Sequence, residues 1–224
     1  MAKNYHIDAM KVSLEKLQKR IEATDLIPSR VLLMEDIAEK FTLLRTFGIG
    51  TLADLRKALK TKKTVSVMSE KTGVNEEYLL LLRREIEGYF PKPCTIDSFN
   101  WLPADDLEKL KNSGITGTMD IFVSLAASRR RTAVCVNTGT DPATAAILYQ
   151  LSDLTRIQWT SPTTARMLLA AGYTGAVQVS RANAEQRYLD LECSNSEKKL
   201  FKGTIGLRDV KRLIFAAHAL VDTH

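Results

Sequence analysis

Histidine is scarce in this chain, and its three copies, His6, His218 and His224, sit near the two ends. That placement argues against an acid/base or metal centre built on imidazole. The three cysteines, Cys94, Cys135 and Cys193, are odd in number and far apart. No pair has the spacing of a zinc or dithiol motif, so they read as ordinary reduced residues, and no metal or cofactor is expected. Aromatic residues make up only 7%. The longest run of large aliphatics is Leu79 to Leu82, against about 20 apolar residues for a membrane span, so no membrane partner is expected. The opening residues Met1-Ala2-Lys3-Asn4-Tyr5-His6 have neither an apolar core nor a small-residue cleavage site, and the expected location is the cytoplasm. Glycine-rich lysine loops, serine elbows and His-Glu-x-x-His motifs are missing; Gly203-Thr204-Ile205-Gly206 lacks the lysine and hydroxyl of a phosphate loop. The expectation is a non-catalytic protein with no small-molecule substrate and no catalytic residues.

What is present is a chain of 224 residues, 45% hydrophobic and 26% charged, enough for one larger or two smaller globular domains. Its net charge of +6 is unevenly placed. Residues 56 to 63 hold Arg56, Lys57, Lys60, Lys62 and Lys63 without an acid, and residues 121 to 140 hold Arg129, Arg130 and Arg131 without one. Residues 198 to 212 set Lys198, Lys199, Lys202, Arg208, Lys211 and Arg212 against Asp209 alone. The remainder of the chain is therefore net negative. Each basic stretch could be no more than a solvated helix face.

Self-similarity runs through the chain. Leu44 to Leu55 aligns with Leu110 to Ile121 and with Leu168 to Val179, around Gly48, Gly114 and Gly172. Each copy has an apolar residue four before the glycine, a large apolar residue just after it and another seven after it. Gly73 and Gly139 each follow 25 residues after the first two glycines, whereas Glu197 and Asn183 break the third copy, as befits a terminal unit. A glycine just past a helix end adopts the left-handed conformation without side-chain cost, so the chain reverses into a second helix. The unit predicted is helix, glycine hairpin, helix.

The remaining punctuation agrees. Asn75 and Asp141, the latter followed by Pro142, are good helix caps, as is Ser161 before Pro162. Leu14, Leu17 and Ile21 mark a first helix, and Pro28 opens another running to about Phe41. Alternating β-branched residues are confined to short stretches such as Thr64 to Val67 and Thr132 to Val136, so the fold is expected to be all-α. Phe90-Pro91-Lys92-Pro93, the one proline cluster, marks a junction between an N-terminal unit (1–93) and a C-terminal unit (94–224) holding the second and third hairpins.

Phe47-Gly48-Ile49-Gly50-Thr51-Leu52-Ala53-Asp54-Leu55, and the segment from Leu151 to Ile157 followed by Ser161-Pro162 and Ala170-Ala171-Gly172-Tyr173, resemble tandem helix-hairpin-helix proteins. The likeness is in particular to a bacterial family of unknown function built from such repeats. It covers roughly residues 25 to 190 and departs at Gln158-Trp159-Thr160, where the pattern has a glycine turn. The resemblance implies sequence-independent binding of duplex DNA, with hairpin amides on phosphate oxygens and nearby bases releasing counterions. The residues it assigns are Gly48, Ile49, Gly50, Gly114, Thr116, Gly117, Gly172 and Gly175, with Lys62, Lys63, Arg129, Arg130, Arg131 and Arg187 as cations. Lys63, Arg129 and Arg187 each stand 15 residues after a repeat glycine. The alternative is a helical scaffold for a protein partner, with Leu213, Ile214, Phe215, Leu220 and Val221 either as a candidate surface or as a helix that closes the core. Trp101 and Trp159 are expected in the core; exposed rings would instead favour single strands.

Overall fold

A computed structural model describes residues 5–222; Met1 to Asn4 and His224, included in the sequence reading above, lie outside them. The fold is all-α. The described residues hold no strand, only two isolated antiparallel bridges, and no helix among them is long and apolar enough to cross a membrane. The chain divides into two compact units, residues 7–90 and residues 91–222 joined by residues 5 and 6.

The first unit contains α1 (Leu14–Ala23), α2 (Ile37–Thr46), α3 (Leu52–Ala58), α4 (Lys62–Thr72) and α5 (Glu76–Glu87). Leu17, Phe41, Leu44, Leu52, Leu55, Val65 and Leu82 are sealed in its core. Asn75 Oδ1 caps α5 by accepting from Glu77 N at 2.7 Å. The helix expected from Pro28 to about Phe41 is broken. Pro28–Met34 is a 3-10 helix, and Asp36, at φ 47°, turns the chain before α2. A short polar side chain tolerates that left-handed position better than most.

The second unit contains α6 (Ala104–Asn112), α7 (Thr118–Leu125), α8 (Ser128–Thr138), α9 (Pro142–Leu154), α10 (Pro162–Ala170), α11 (Ala176–Ser180), α12 (Ala184–Lys198) and α13 (Leu207–Val221). Asp141 and Ser161 cap α9 and α10 as the sequence suggests. Tyr5 is inserted here, its hydroxyl 2.7 Å from Thr118 Oγ1 and its carbonyl accepting from the buried Arg156 Nε at 2.7 Å. α13 turns Val210, Leu213, Ala216, Ala217 and Leu220 inward. The C-terminal helix therefore closes the core of its unit, and Leu213 and Leu220 offer no partner surface. The β-branched stretches at Thr64 to Val67 and Thr132 to Val136 lie inside α4 and α8, each of which ends at a left-handed glycine, Gly73 or Gly139; strand preference is weak against such context.

Helix boundaries in the two units keep step. α2 and α6 end two residues before Gly48 and Gly114, and α3 and α7 start four residues after them. α4 and α8 both start 14 residues after the glycine and end one residue before Gly73 and Gly139, which have φ of 74° and 70°. In each unit the segment ahead of the first helix pairs with the turn. Leu14 N donates to Gly50 O and Leu52 N to Val12 O; Ile96 N donates to Thr116 O and Thr118 N to Cys94 O.

Candidate nucleic-acid interface

The three glycine turns share one geometry. Gly48, Gly114 and Gly172 have φ of 82°, 86° and 87°, values that strain any residue with a Cβ. The amide after each glycine returns to a carbonyl five residues back: Ile49 to Leu44, Ile115 to Leu110 and Tyr173 to Leu168, at 3.2, 3.0 and 2.9 Å. The glycine amides themselves donate to Arg45, Lys111 and Leu169 carbonyls. The turn tips are exposed while Ile49 and Ile115 are buried beneath them.

The next amides along, which begin α3, α7 and α11, already face acceptors of the chain. Asp54 Oδ2 accepts from Gly50 N at 3.2 Å and Thr51 N at 2.9 Å. Asp120 Oδ2 accepts from Thr116 N and Gly117 N, both at 3.0 Å. In the third turn Gln178 Oε1 takes Thr174 N at 2.7 Å, and Asp153 Oδ2, from α9, takes Ala176 N at 2.9 Å. Hydrogen bonds from the Thr51 hydroxyl and amide hold the Asp54 carboxyl below its usual value, which marks it as a carboxylate fixed on these donors. A negative group thus sits where the resemblance places a phosphate. Gly117 and Gly175 serve this closure: a Cβ would come 3.0 Å from Cys94 O at the first and 2.6 Å from Asp153 Oδ2 at the second. The amides of Gly48, Ile49, Gly50, Gly114, Thr116, Gly117 and Gly172 are engaged inside the chain, and the candidate anion site moves away from them.

Arg187 is corrected outright. It is fully buried, stacks over the Tyr173 ring at 3.6 Å and donates from Nη2 to the Gln178 and Val179 carbonyls. Burial pulls its guanidinium down to about 10. The cause is helix phase. Lys63 and Arg129 are second residues of α4 and α8, whereas α12 starts two residues earlier relative to its glycine. Two residues amount to a rotation of about 200° around a helix, which turns Arg187 inward.

The cations of α4 and α8 remain outside. Eight of the 13 α-helices among the described residues carry an acid in the first turn, the arrangement the helix dipole favours. α4 and α8 carry none and begin instead with Lys62-Lys63 and Ser128-Arg129-Arg130-Arg131. Lys62, Lys63, Arg129 and Arg130 are exposed, as are Lys57 and Lys60 just ahead of α4. Arg131 is half-buried, bonded through Nε to Leu125 O at 3.2 Å and stacked over Tyr149 at 5.0 Å. Thr61 caps α4 through its hydroxyl, 3.2 Å from Thr64 N. α8 follows Ala127, which supplies no side-chain cap. Its starting amides stand beside the exposed Arg129 and Arg130, with no acid in that first turn.

The tryptophans part company. Trp101 is half-buried, edge-on to Phe99 at 5.4 Å and under Arg166 at 4.4 Å. Trp159, expected in the core, is 44% exposed and holds the left-handed position at φ 67°. It occupies the turn between α9 and α10 where the resembling pattern has glycine. The break in that pattern was its only signal in the sequence.

A family model described as a domain of unknown function (DUF4332) matches residues 102–220, more than half of the chain. No curated protein and no solved structure matches.

Proposed function

The chain belongs to the family of the domain of unknown function DUF4332, and from the placement of its cations we propose that it is a non-catalytic, sequence-independent nucleic-acid-binding protein whose duplex contacts are to the phosphate backbone. The carrying observation is the start of α4 and of α8. In both units the same helix sets bases at the positive end of its own dipole, where they cost stability, and leaves Lys62, Lys63, Arg129 and Arg130 exposed and in no ion pair with another described residue. Such a placement is rewarded only when an anion arrives. A polyphosphate backbone supplies one at regular spacing and releases counterions on binding.

In this reading the chain is a set of tandem helix-hairpin-helix repeats in which the glycine turns orient the helices and the cations four turns of sequence later meet the phosphates. The matching helix bounds around Gly48 and Gly114 support it, as does the bridge each turn makes with the segment ahead of it. The third unit lacks the cationic helix start because Arg187 faces inward. The test is a pair of double variants, Lys62→Ala with Lys63→Ala and Arg129→Ala with Arg130→Ala, assayed on a labelled duplex at about 50 mM salt. Each should weaken binding about tenfold while the melting temperature stays equal or rises, because the dipole no longer opposes the side chains. Loss of stability with unchanged affinity would assign these bases a structural role, and failure of the unaltered protein to bind duplex would favour a scaffold for a protein partner.

A further inference from the structure

The basic stretch between α12 and α13 takes no part in the reading above, and it borders a cleft. Trp159, Phe201, Ile205, Arg212 and Leu213 line a cavity of about 240 Å³ together with Asp209, whose Oδ2 accepts from Gly206 N at 3.0 Å. A neighbouring hollow of about 560 Å³ shares Leu191, Thr204 and Ile205 with it. Trp159 is the feature that folding alone does not explain. A bulky residue at positive φ is an outlier, and glycine would hold the same turn without strain. Its side chain is only partly buried, 44% of the residue remaining exposed. Strained backbone under an exposed ring is the kind of outlier from which a functional reading is drawn.

The surroundings indicate what the ring receives. Arg212 lies over the indole at 4.2 Å from its centroid, and its Nε is shielded from solvent with no hydrogen-bond partner among the described residues. Lys199 and Lys202, on the segment that carries Phe201 to the cleft, are exposed. Trp159 carries Arg212 on its ring yet stays 44% exposed, and a half-open aromatic ring backed by a guanidinium is a chemistry that suits a strand of unpaired bases, each with a flat π face and a phosphate next to it.

We propose that this cleft seats an unpaired nucleobase stacked on Trp159, with the adjoining phosphates of the same strand met by Arg212, Lys199 and Lys202. The proposal rests on the nucleic-acid reading and adds to the backbone contacts a preference for single strands that those contacts do not supply.

The experiment titrates the full chain with a labelled oligothymidylate of about 15 nucleotides and with a duplex of matching length. It uses the unaltered protein, Trp159→Gly and Trp159→Phe, with melting temperatures alongside. Trp159→Gly relieves the left-handed turn but loses the packed part of the indole, so its melting temperature should fall modestly and affinities are compared where every variant is folded. Trp159→Gly should lose about tenfold in affinity for the oligothymidylate, in line with one stacked base, and stay within about twofold on the duplex. Trp159→Phe, which keeps a stacking face, should recover most of the loss. An unchanged oligothymidylate affinity in Trp159→Gly, or an equal fall on both probes, overturns the stacking site. Thymidine monophosphate offers the same ring on a single phosphate; if it competes at micromolar concentration, the cleft is a mononucleotide pocket and the strand proposal is wrong. An unaltered protein that binds duplex but not oligothymidylate removes this inference alone, and one that binds neither removes the nucleic-acid reading as well.

Discussion

Arg187 and Lys63 hold the same distance from a turn glycine, yet one is sealed inside the protein and the other stands in water. The buried guanidinium stacks on Tyr173 and satisfies carbonyls at the end of α11. Arg187→Ala should therefore leave a cavity and unpaired carbonyls and destabilise the protein by about 2–4 kcal/mol, read by urea unfolding. Arg187→Met, which keeps most of the volume, should cost less than alanine. Neither should change duplex affinity under conditions where the protein is folded; a loss of affinity would restore Arg187 as a phosphate contact. Single residues were legible in the sequence where only one chemistry fits the backbone. Gly48, Gly114 and Gly172 were readable as left-handed turns because glycine holds a positive φ without the strain a Cβ brings. The burial of Arg187 was not readable, since a count of residues carries no helix phase until the first residue of the helix is known. Nor was the exposure of Trp159, whose neighbours Arg212 and Phe201 come from more than 40 positions away in the chain.

At the scale of elements, two kinds of glycine do different work. Gly114 has open space around its missing Cβ but φ of 86°, whereas Gly175 has extended backbone and an oxygen 2.6 Å from where a Cβ would sit. Gly114→Ala should cost about 1 kcal/mol through backbone strain alone. Gly175→Ala should destabilise by dislodging Asp153 from Ala176 N, and pairing it with Asp153→Ala should give less than the sum of the two single effects. Urea unfolding of the single and double variants checks both, and additive effects would mean that the carboxylate and the glycine act independently. The caps at Asn75, Asp141 and Ser161 were legible because side-chain chemistry and position agree locally. The closure of the turns by Asp54 and Asp120 was only half legible. An aspartate near a helix start is visible in the sequence, but the occupation of the amides that a phosphate would need is a matter of distances.

Across the whole molecule, charge and burial point the same way. α13 turns Leu213 and Leu220 inward, while exposed cations stand at the starts of α4 and α8 with no acid in those first turns. All-α architecture followed from the pattern of the chain, and the basic stretches were visible as composition. Their positions at the positive ends of two matching helices emerged only with the helix bounds. The most direct measurement is the duplex affinity of the unaltered chain over a range of salt concentration. The account predicts a linear fall of log affinity with log salt, made shallower by about 2 in slope when either Lys62 with Lys63 or Arg129 with Arg130 is changed to alanine. A flat dependence, or the same slope in all three proteins, would contradict it.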